Sequence, residues 1–179
     1  KFAILGLMRF FPYTAESGGG AGKADRRRAI KKLRTLVLSP KLEPEAIKER
    51  VEQEFSSPYL PARVDCREKS FGGITCDVLS PEVMASNRLI IYIHGGGYCC
   101  GDLTYSKGFA ATLADKCGVK VYTFEYRLAP EHPFPAALDD ALAAYRRLLE
   151  CGYTGEEIVL CGESAGGGLC YALCMKLWE

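Results

Sequence analysis

The 179-residue sequence lacks most of the patterns that mark metal sites, disulfide frameworks and membrane spans. It holds only two histidines, and its nine cysteines are odd in number with no C-x-x-C pair, which fits neither a zinc site nor a set of paired disulfides. No apolar run approaches the roughly 20 residues of a membrane-spanning helix, and no small-residue cleavage site follows the apolar N-terminus. We therefore expect reduced thiols, a cytoplasmic location, no metal site and no membrane span.

The charge balance excludes a strongly acidic or basic protein. Lys plus Arg number 23 against 22 for Asp plus Glu, so the overall charge indicates no nucleic-acid partner. The run from Lys23 to Arg34 is the local exception, and it could form a nucleic-acid or anionic-membrane patch. Ile30, Leu33 and Val37 recur through it at helical spacing, which favours a solvated helix face.

The residues that are present divide the chain near residue 60. In residues 1–60, SPKLEPEAIKERVEQEF offers Ser39, a first-turn proline and acidic residues as a helix start. Residues 61–179 begin with ARVDCREKSFGGITCDVLSP, whose alternation about Gly72-Gly73 predicts a β-hairpin. From Arg88 onward, apolar strands alternate with helical stretches, which predicts a parallel sheet covered on both faces. The predicted strands are RLIIYI, VKVYTFEY and EIVLCG, and the predicted helices are Tyr105 to Lys116, Pro135 to Leu149 and one from Ala165.

Three consecutive glycines follow His94 at the carboxyl end of a predicted strand, where open α/β sheets place their ligand sites. Glycine can bring its N–H against a ligand and tolerates positive φ. The stretch HGGG matches neither nucleotide-binding glycine pattern, which disfavours a phosphate cradle. The other interpretation is a set of N–H donors aimed at a developing oxyanion, and it requires a nucleophile at the same edge. For Cys99 and Cys100, which follow directly, ordinary packing is the favoured interpretation.

A candidate nucleophile lies in the G-x-S-x-G pattern of Gly162-Glu163-Ser164-Ala165-Gly166. This pattern occurs often by chance, and a serine at a helix start is by default an N-cap. Here an apolar strand precedes the pattern and a helix follows it, and the glycines permit the tight turn that exposes a serine Oγ. With HGGG upstream, the context favours a nucleophile over a cap.

Three stretches in this order resemble the hormone-sensitive-lipase-like branch of the α/β-hydrolases: HGGGY at His94, YRLAPEHPFPAALDD at Tyr126 and GESAGGGL at Gly162. The resemblance covers about residues 60–179. It implies an α/β-hydrolase fold with a mostly parallel sheet flanked by helices, and it implies that residues 1–60 form a helical cap segment. Residues 61–179 would then be the N-terminal half of the catalytic domain.

The resemblance also assigns roles to the residues of the site. Ser164 would be the nucleophile, and the N–H groups of Gly96, Gly97 and Ala165 would form the oxyanion hole. His94, next to the hole, is a possible general base, but in this family the corresponding residue holds the loop by hydrogen bonding. The supporting residues would be His94, Gly95 and Glu163, Tyr98 would line the acyl pocket, and Glu131 and His132 would brace their loop. No metal or cofactor is implied.

The sequence departs from the family after Ser164. The triad order is Ser, then Asp or Glu, then His, whereas the fifteen residues after Ser164 contain neither Asp nor His. Asp139 and Asp140 come too early to be the triad acid. We therefore expect a truncated fold, in which the last strand is an apolar sheet edge and the isolated chain is inactive.

Two functions remain open from the sequence. The first is a serine esterase or lipase that forms an acyl-enzyme on short- to medium-chain esters. The second is a non-catalytic small-molecule binding protein on the same scaffold, as in the plant hormone receptors that resemble this family. The sequence leaves the oligomeric state undetermined.

Overall fold

A five-stranded sheet with helices on both faces organises the chain in a computed structural model, which describes residues 27, 31, 43–55, 59–71 and 73–179. In chain order the elements are α1 (Pro44–Phe55), β1 (Val64–Phe71), β2 (Ile74–Pro81), β3 (Leu89–Ile93), α2 (Leu103–Cys117), β4 (Lys120–Phe124), α3 (Ala136–Glu150), β5 (Ile158–Gly162) and α4 (Ala165–Trp178).

The strands lie in the order β1-β2-β4-β3-β5. The predicted hairpin is confirmed, because β1 and β2 pair antiparallel with Phe71 opposite Ile74. The predicted parallel strands are also confirmed: β3 lies between β4 and β5 and pairs parallel with both. The sheet as a whole is mixed, because β2 joins β4 antiparallel.

Two apolar layers bury β3 on both faces. All five residues of LIIYI are buried, as expected for a continuous apolar run in a central strand. Leu89, Ile91 and Ile93 face the layer of α3 and α4, while Ile90 and Tyr92 face the alanine-rich side of α2. The central position of β3 is what holds the loop after Ile93 in place.

The described strands end at β5, which pairs with β3 alone among them. Val159, Leu160 and Cys161 are only partly buried along this strand. The expected apolar edge is therefore present in the described part of the sheet.

From the N-terminal segment, the structure describes α1 and a few flanking residues. The helix begins at Pro44; Ser39 and most of the proposed cap lie outside the described residues, as does the basic run apart from Arg27 and Lys31, which are helical and exposed. Val51 of α1 is 7% exposed and packs with Cys100 and Tyr105. Among the residues described, no helix is both long and apolar enough to cross a membrane.

Candidate active site

Ser164 occupies the turn between β5 and α4 in a backbone conformation that residues other than glycine rarely adopt. Its φ is 50° and its ψ is −120°. The residue is exposed, and its hydroxyl makes no capping hydrogen bond to the first turn of α4. An N-cap serine has an extended backbone and uses its oxygen on the helix, so the side chain of Ser164 is not a cap. Ser164 therefore lies on an exposed turn, and its hydroxyl has no hydrogen-bond partner among the described residues.

The glycines around Ser164 let α4 approach the end of β3. A Cβ added to Gly166 would lie 2.0 Å from the carbonyl oxygen of Ile93, and one added to Gly162 would lie 2.5 Å from the backbone of Gly166. Neither distance is possible for a real side chain. The two glycines of G-x-S-x-G are therefore required by close backbone packing, which fixes Ser164 beside the loop that follows β3.

That loop, Gly95 to Cys100, is called the glycine loop below. Gly96 has φ 112° and Gly97 has φ 65°. The N–H groups of Cys99 and Cys100 both donate to the carbonyl oxygen of Gly96 at 3.1 Å, which closes a tight turn. A Cβ on Gly95 would lie 3.2 Å from Cβ of Ser164, so the loop and the serine turn are in contact.

Three N–H groups at this junction have no hydrogen-bond acceptor in the part of the chain that the structure describes. Among the hydrogen bonds of the described residues, none uses the N–H of Gly96, Gly97 or Ala165 as its donor. Gly97 is exposed and Gly96 is half-buried, so these donors are accessible. The arrangement is suited to binding a negatively charged oxygen, since the N-terminus of α4 also carries partial positive charge.

Glu163 connects the serine turn to the glycine loop. Its Oε1 accepts the N–H of Gly95 at 2.7 Å and the hydroxyl of Tyr105 at 3.1 Å, and its Oε2 accepts the hydroxyl of Tyr92. Burial raises the pKa of the Glu163 carboxyl, and the three donors partly oppose that increase. These contacts are consistent with the expected supporting role of Glu163.

His94 is enclosed rather than available for proton transfer. Its ring is fully buried and stacks on Tyr126 at 4.4 Å, and its Nδ1 lies 2.7 Å from the carbonyl oxygen of Gly95. Since a carbonyl accepts, Nδ1 carries the proton. Burial lowers the pKa of His94, so the ring is neutral at neutral pH. These contacts fit the expectation that His94 holds the loop, and they leave it unsuited to be the base.

Tyr98 lies at the end of the glycines, over the first turn of α4. It has φ 64°, and its hydroxyl would be 2.5 Å from a Cβ added to Gly168. Tyr98 as a whole residue is 40% exposed. Its position beside the serine turn agrees with a pocket-lining residue, which stays a prediction.

The thiols after the glycines are packed against the loop backbone. Cys100 is buried and donates to the carbonyl oxygen of Gly96 at 3.0 Å, while the exposed Cys99 donates to that of Gly97 at 3.3 Å. Burial raises the pKa of the Cys100 thiol, which disfavours a reactive thiolate there. All nine cysteines are unpaired.

The loop after β4 is braced by an ion pair that the sequence did not indicate. Arg127 donates from Nη2 to Asp140 Oδ1 at 2.8 Å, and its backbone N–H donates to Asp140 Oδ2 at 2.9 Å. The side chains of Glu131 and His132, expected to brace this loop, are exposed and make no hydrogen bond among the described residues. Asp140 is thus structural, in agreement with its exclusion from the triad.

Sequence reasoning missed the tyrosines that surround the loop. Tyr92 and Tyr105 bind Glu163, and the hydroxyl of Tyr126 donates to the carbonyl oxygen of His94 at 2.9 Å. Tyr92 left a signal: a tyrosine within the aliphatic run LIIYI needs a buried partner for its hydroxyl. Tyr105 and Tyr126 left no such signal in the sequence.

No cluster of His, Cys, Asp or Glu in the described residues is placed to hold a metal ion.

Comparison with known proteins decides the family. A family model described as the alpha/beta hydrolase fold matches residues 90–179, the stretch that holds both the glycine loop and Ser164. The chain belongs to the α/β-hydrolase family. Its sequence is 37% identical to hormone-sensitive lipase of Mus musculus over 95 residues, which are 51% of this chain and 12% of that protein. It is 33% identical to versiconal hemiacetal acetate esterase of Emericella nidulans over 123 residues, 69% of this chain and 43% of that protein.

Solved structures agree with this assignment. The crystal structure of an esterase from the bacterial hormone-sensitive lipase family superposes with a TM-score of 0.77 at 31% identity, covering 88% of this α/β-hydrolase and 53% of that chain. The expected fold and the hormone-sensitive-lipase-like branch are therefore confirmed. This α/β-hydrolase spans about half the length of the solved relatives, and less than half of the curated ones cited above.

Proposed function

We propose that the chain supplies the nucleophile and the oxyanion-binding groups of a serine carboxylic-ester hydrolase. One observation carries the proposal: Ser164 is exposed at φ 50° with its hydroxyl unused by the helix, in contact with the glycine loop. Backbone strain of this kind costs about 1–3 kcal/mol and is concentrated at functional sites. The relatives named as esterases and lipases support the same class of reaction.

In the proposed reaction, Oγ of Ser164 bonds to the carbonyl carbon of the ester and its proton passes to a base. The carbonyl oxygen becomes an oxyanion and accepts hydrogen bonds from the N–H groups of Gly96, Gly97 and Ala165. When the intermediate collapses, the ester C–O bond breaks and the alcohol leaves with the proton from the base. Water then cleaves the acyl-enzyme by the same steps, releasing the acid and restoring Ser164.

The base is the component that the described residues do not provide. Neither histidine is hydrogen-bonded to Ser164 there: His94 is enclosed with Nδ1 against Gly95, and His132 is exposed in the loop after β4. A serine hydroxyl at its ordinary pKa is a weak nucleophile. We propose that a histidine outside residues 1–179, with its acidic partner, completes the triad, and that these residues alone do not turn over esters.

Short- to medium-chain esters are the proposed substrates, with Tyr98 forming one wall of the acyl pocket. The phenol lies over the first turn of α4, where the acyl group of Ser164 would be placed. A bulky aromatic wall at this point limits the space beside the nucleophile. The proposed partner is the small-molecule ester, and water is the second reactant.

Turnover of p-nitrophenyl acetate and butyrate by the full-length protein tests the proposal. We expect Ser164→Ala to reduce kcat by at least about 10³-fold. Ser86→Ala is the matched control, since Ser86 is exposed and, among the described residues, its Oγ accepts the N–H of Arg88 and no other donor. Full turnover in Ser164→Ala would refute the assignment. Ester binding without turnover in the unmodified protein would instead support the non-catalytic binding function.

A further inference from the structure

The carboxylate of Glu163 is half-buried and has an unusual set of partners for a charge withdrawn from water. Three neutral donors reach it, from the hydroxyls of Tyr92 and Tyr105 and the N–H of Gly95, and no Lys, Arg or His forms an ion pair with it among the described residues. A buried carboxylate without a cation depends on hydrogen bonds for its position and its charge. The two tyrosines supply two of the three.

These donors come from different parts of the fold. Tyr92 lies in β3 and is 2% exposed, and Tyr105 lies in the first turn of α2 and is 8% exposed. Their sequence separations from Glu163 are 71 and 58 residues. Because Glu163 directly precedes Ser164, the carboxylate joins β3 and α2 to the residue that carries the nucleophile.

The N–H of Gly95 makes this junction relevant to the oxyanion. Gly95 begins the glycine loop, and its N–H shares Oε1 of Glu163 with the hydroxyl of Tyr105. Gly96 and Gly97 follow at positive φ. Because glycine has no Cβ, the backbone of these two residues has great conformational freedom. Donors stabilise an oxyanion only when they are fixed before the charge develops. An anchor at Gly95 limits the freedom of the donors that follow it.

Tyr105 is itself held from a second side. Its ring lies edge-on to His94 at 5.9 Å and packs with Val51 of α1 and with Cys100. Cys100 in turn donates to the carbonyl oxygen of Gly96 through both its N–H and its Sγ. The tyrosine is therefore linked to both ends of the glycine loop, to Gly95 through Glu163 and to Cys100 by direct packing.

We propose that Tyr92 and Tyr105 are positioning residues for the oxyanion-binding loop: their hydroxyls fix the carboxylate of Glu163, which holds the N–H of Gly95 in register with Ser164. This inference rests on the proposed ester hydrolase function. Loss of a hydroxyl leaves substrate contacts unchanged and loosens the loop, so the effect is confined to the transition state.

Steady-state kinetics of Tyr105→Phe in the full-length protein tests this proposal. Removing one direct oxyanion donor costs on the order of 10²–10³ in kcat, and we expect the indirect loss to cost about tenfold, with KM unchanged. Tyr122→Phe is the matched control. Tyr122 is also a buried strand tyrosine, 9% exposed, but its hydroxyl bonds to Tyr153 away from the site. It should lower stability without lowering kcat.

A double-mutant cycle separates positioning from general loss of stability. In the Glu163→Ala background, Tyr105→Phe should cause little further loss of kcat, because the carboxylate that accepts the Tyr105 hydroxyl is already absent. Should Tyr105→Phe fail to fold, Tyr92→Phe replaces it in the same cycle. Equal kcat in Tyr105→Phe and Tyr122→Phe would overturn the proposal, as would a loss that persists in full in the Glu163→Ala background. Absence of Ser164-dependent turnover in the unmodified protein would instead refute the proposed function.

Discussion

Replacing Ser164 by glycine should stabilise the protein while removing the proposed nucleophile. Ser164 has φ 50° and ψ −120°, which costs a residue with a side chain about 1–3 kcal/mol. Glycine adopts positive φ without that cost but loses about 0.5–1 kcal/mol more conformational entropy on folding. The hydroxyl makes no capping bond that would be lost. We therefore expect a net gain of roughly 0.5–2 kcal/mol in the free energy of unfolding.

The reference for this experiment is Ser164→Ala, which also lacks the hydroxyl but keeps the Cβ and its strain. Urea unfolding of both variants measures the difference, and thermal unfolding should show a rise of about 2–4 °C per kcal/mol for a protein of this size or somewhat larger. Equal stability of Ser164→Gly and Ser164→Ala would show that the backbone at Ser164 is not strained. That result would remove the main physical argument for a nucleophile.

Two further expectations concern the glycine loop and His94. Gly97→Ala should lower the kcat for esters about tenfold or more. Gly73→Ala is the control and should leave kcat unchanged, although both glycines have positive φ and open space around a new Cβ. Equal kcat in the two variants would contradict the proposed role of Gly97 in binding the oxyanion. Because burial lowers the pKa of His94, the unfolded chain binds more protons below about pH 6.5, so stability should fall as the pH falls through that range. In urea unfolding, His94→Phe should flatten this dependence of stability on pH, whereas replacement of the exposed His132 by alanine should not. An unchanged pH dependence in His94→Phe would contradict the explanation by the buried imidazole of His94.

The parts of this fold that sequence predicts are those set by local pattern. The hairpin about Gly73 follows from alternation and turn residues, and LIIYI reads as a central strand because every residue is apolar. The tight turn at Ser164 was predictable for the same reason, because the strand, glycine and helix signals are adjacent in sequence. Close packing of Gly166 on Ile93 shows why that signal is strict.

What sequence could not predict depends on which residues the sheet brings together. The contact of Tyr105 with Glu163 requires α2 and the β5–α4 turn to meet, and no local pattern specifies that. The pairing of Arg127 with Asp140 likewise depends on how α3 packs beside the loop after β4. His132 was expected to brace the loop after β4, but Arg127 and Asp140 brace it. The sequence motif around His132 indicated the loop without indicating which side chains hold it.

Mapping the site of an organophosphate adduct tests the central claim most directly. A fluorophosphonate probe reacts with a serine only where a base and an oxyanion hole activate it. After labelling of the full-length protein and proteolysis, mass spectrometry should place the adduct on Ser164, and Ser164→Ala should take up no probe while Ser86→Ala labels normally. An adduct on another residue, or none on a protein that hydrolyses esters, would contradict the account.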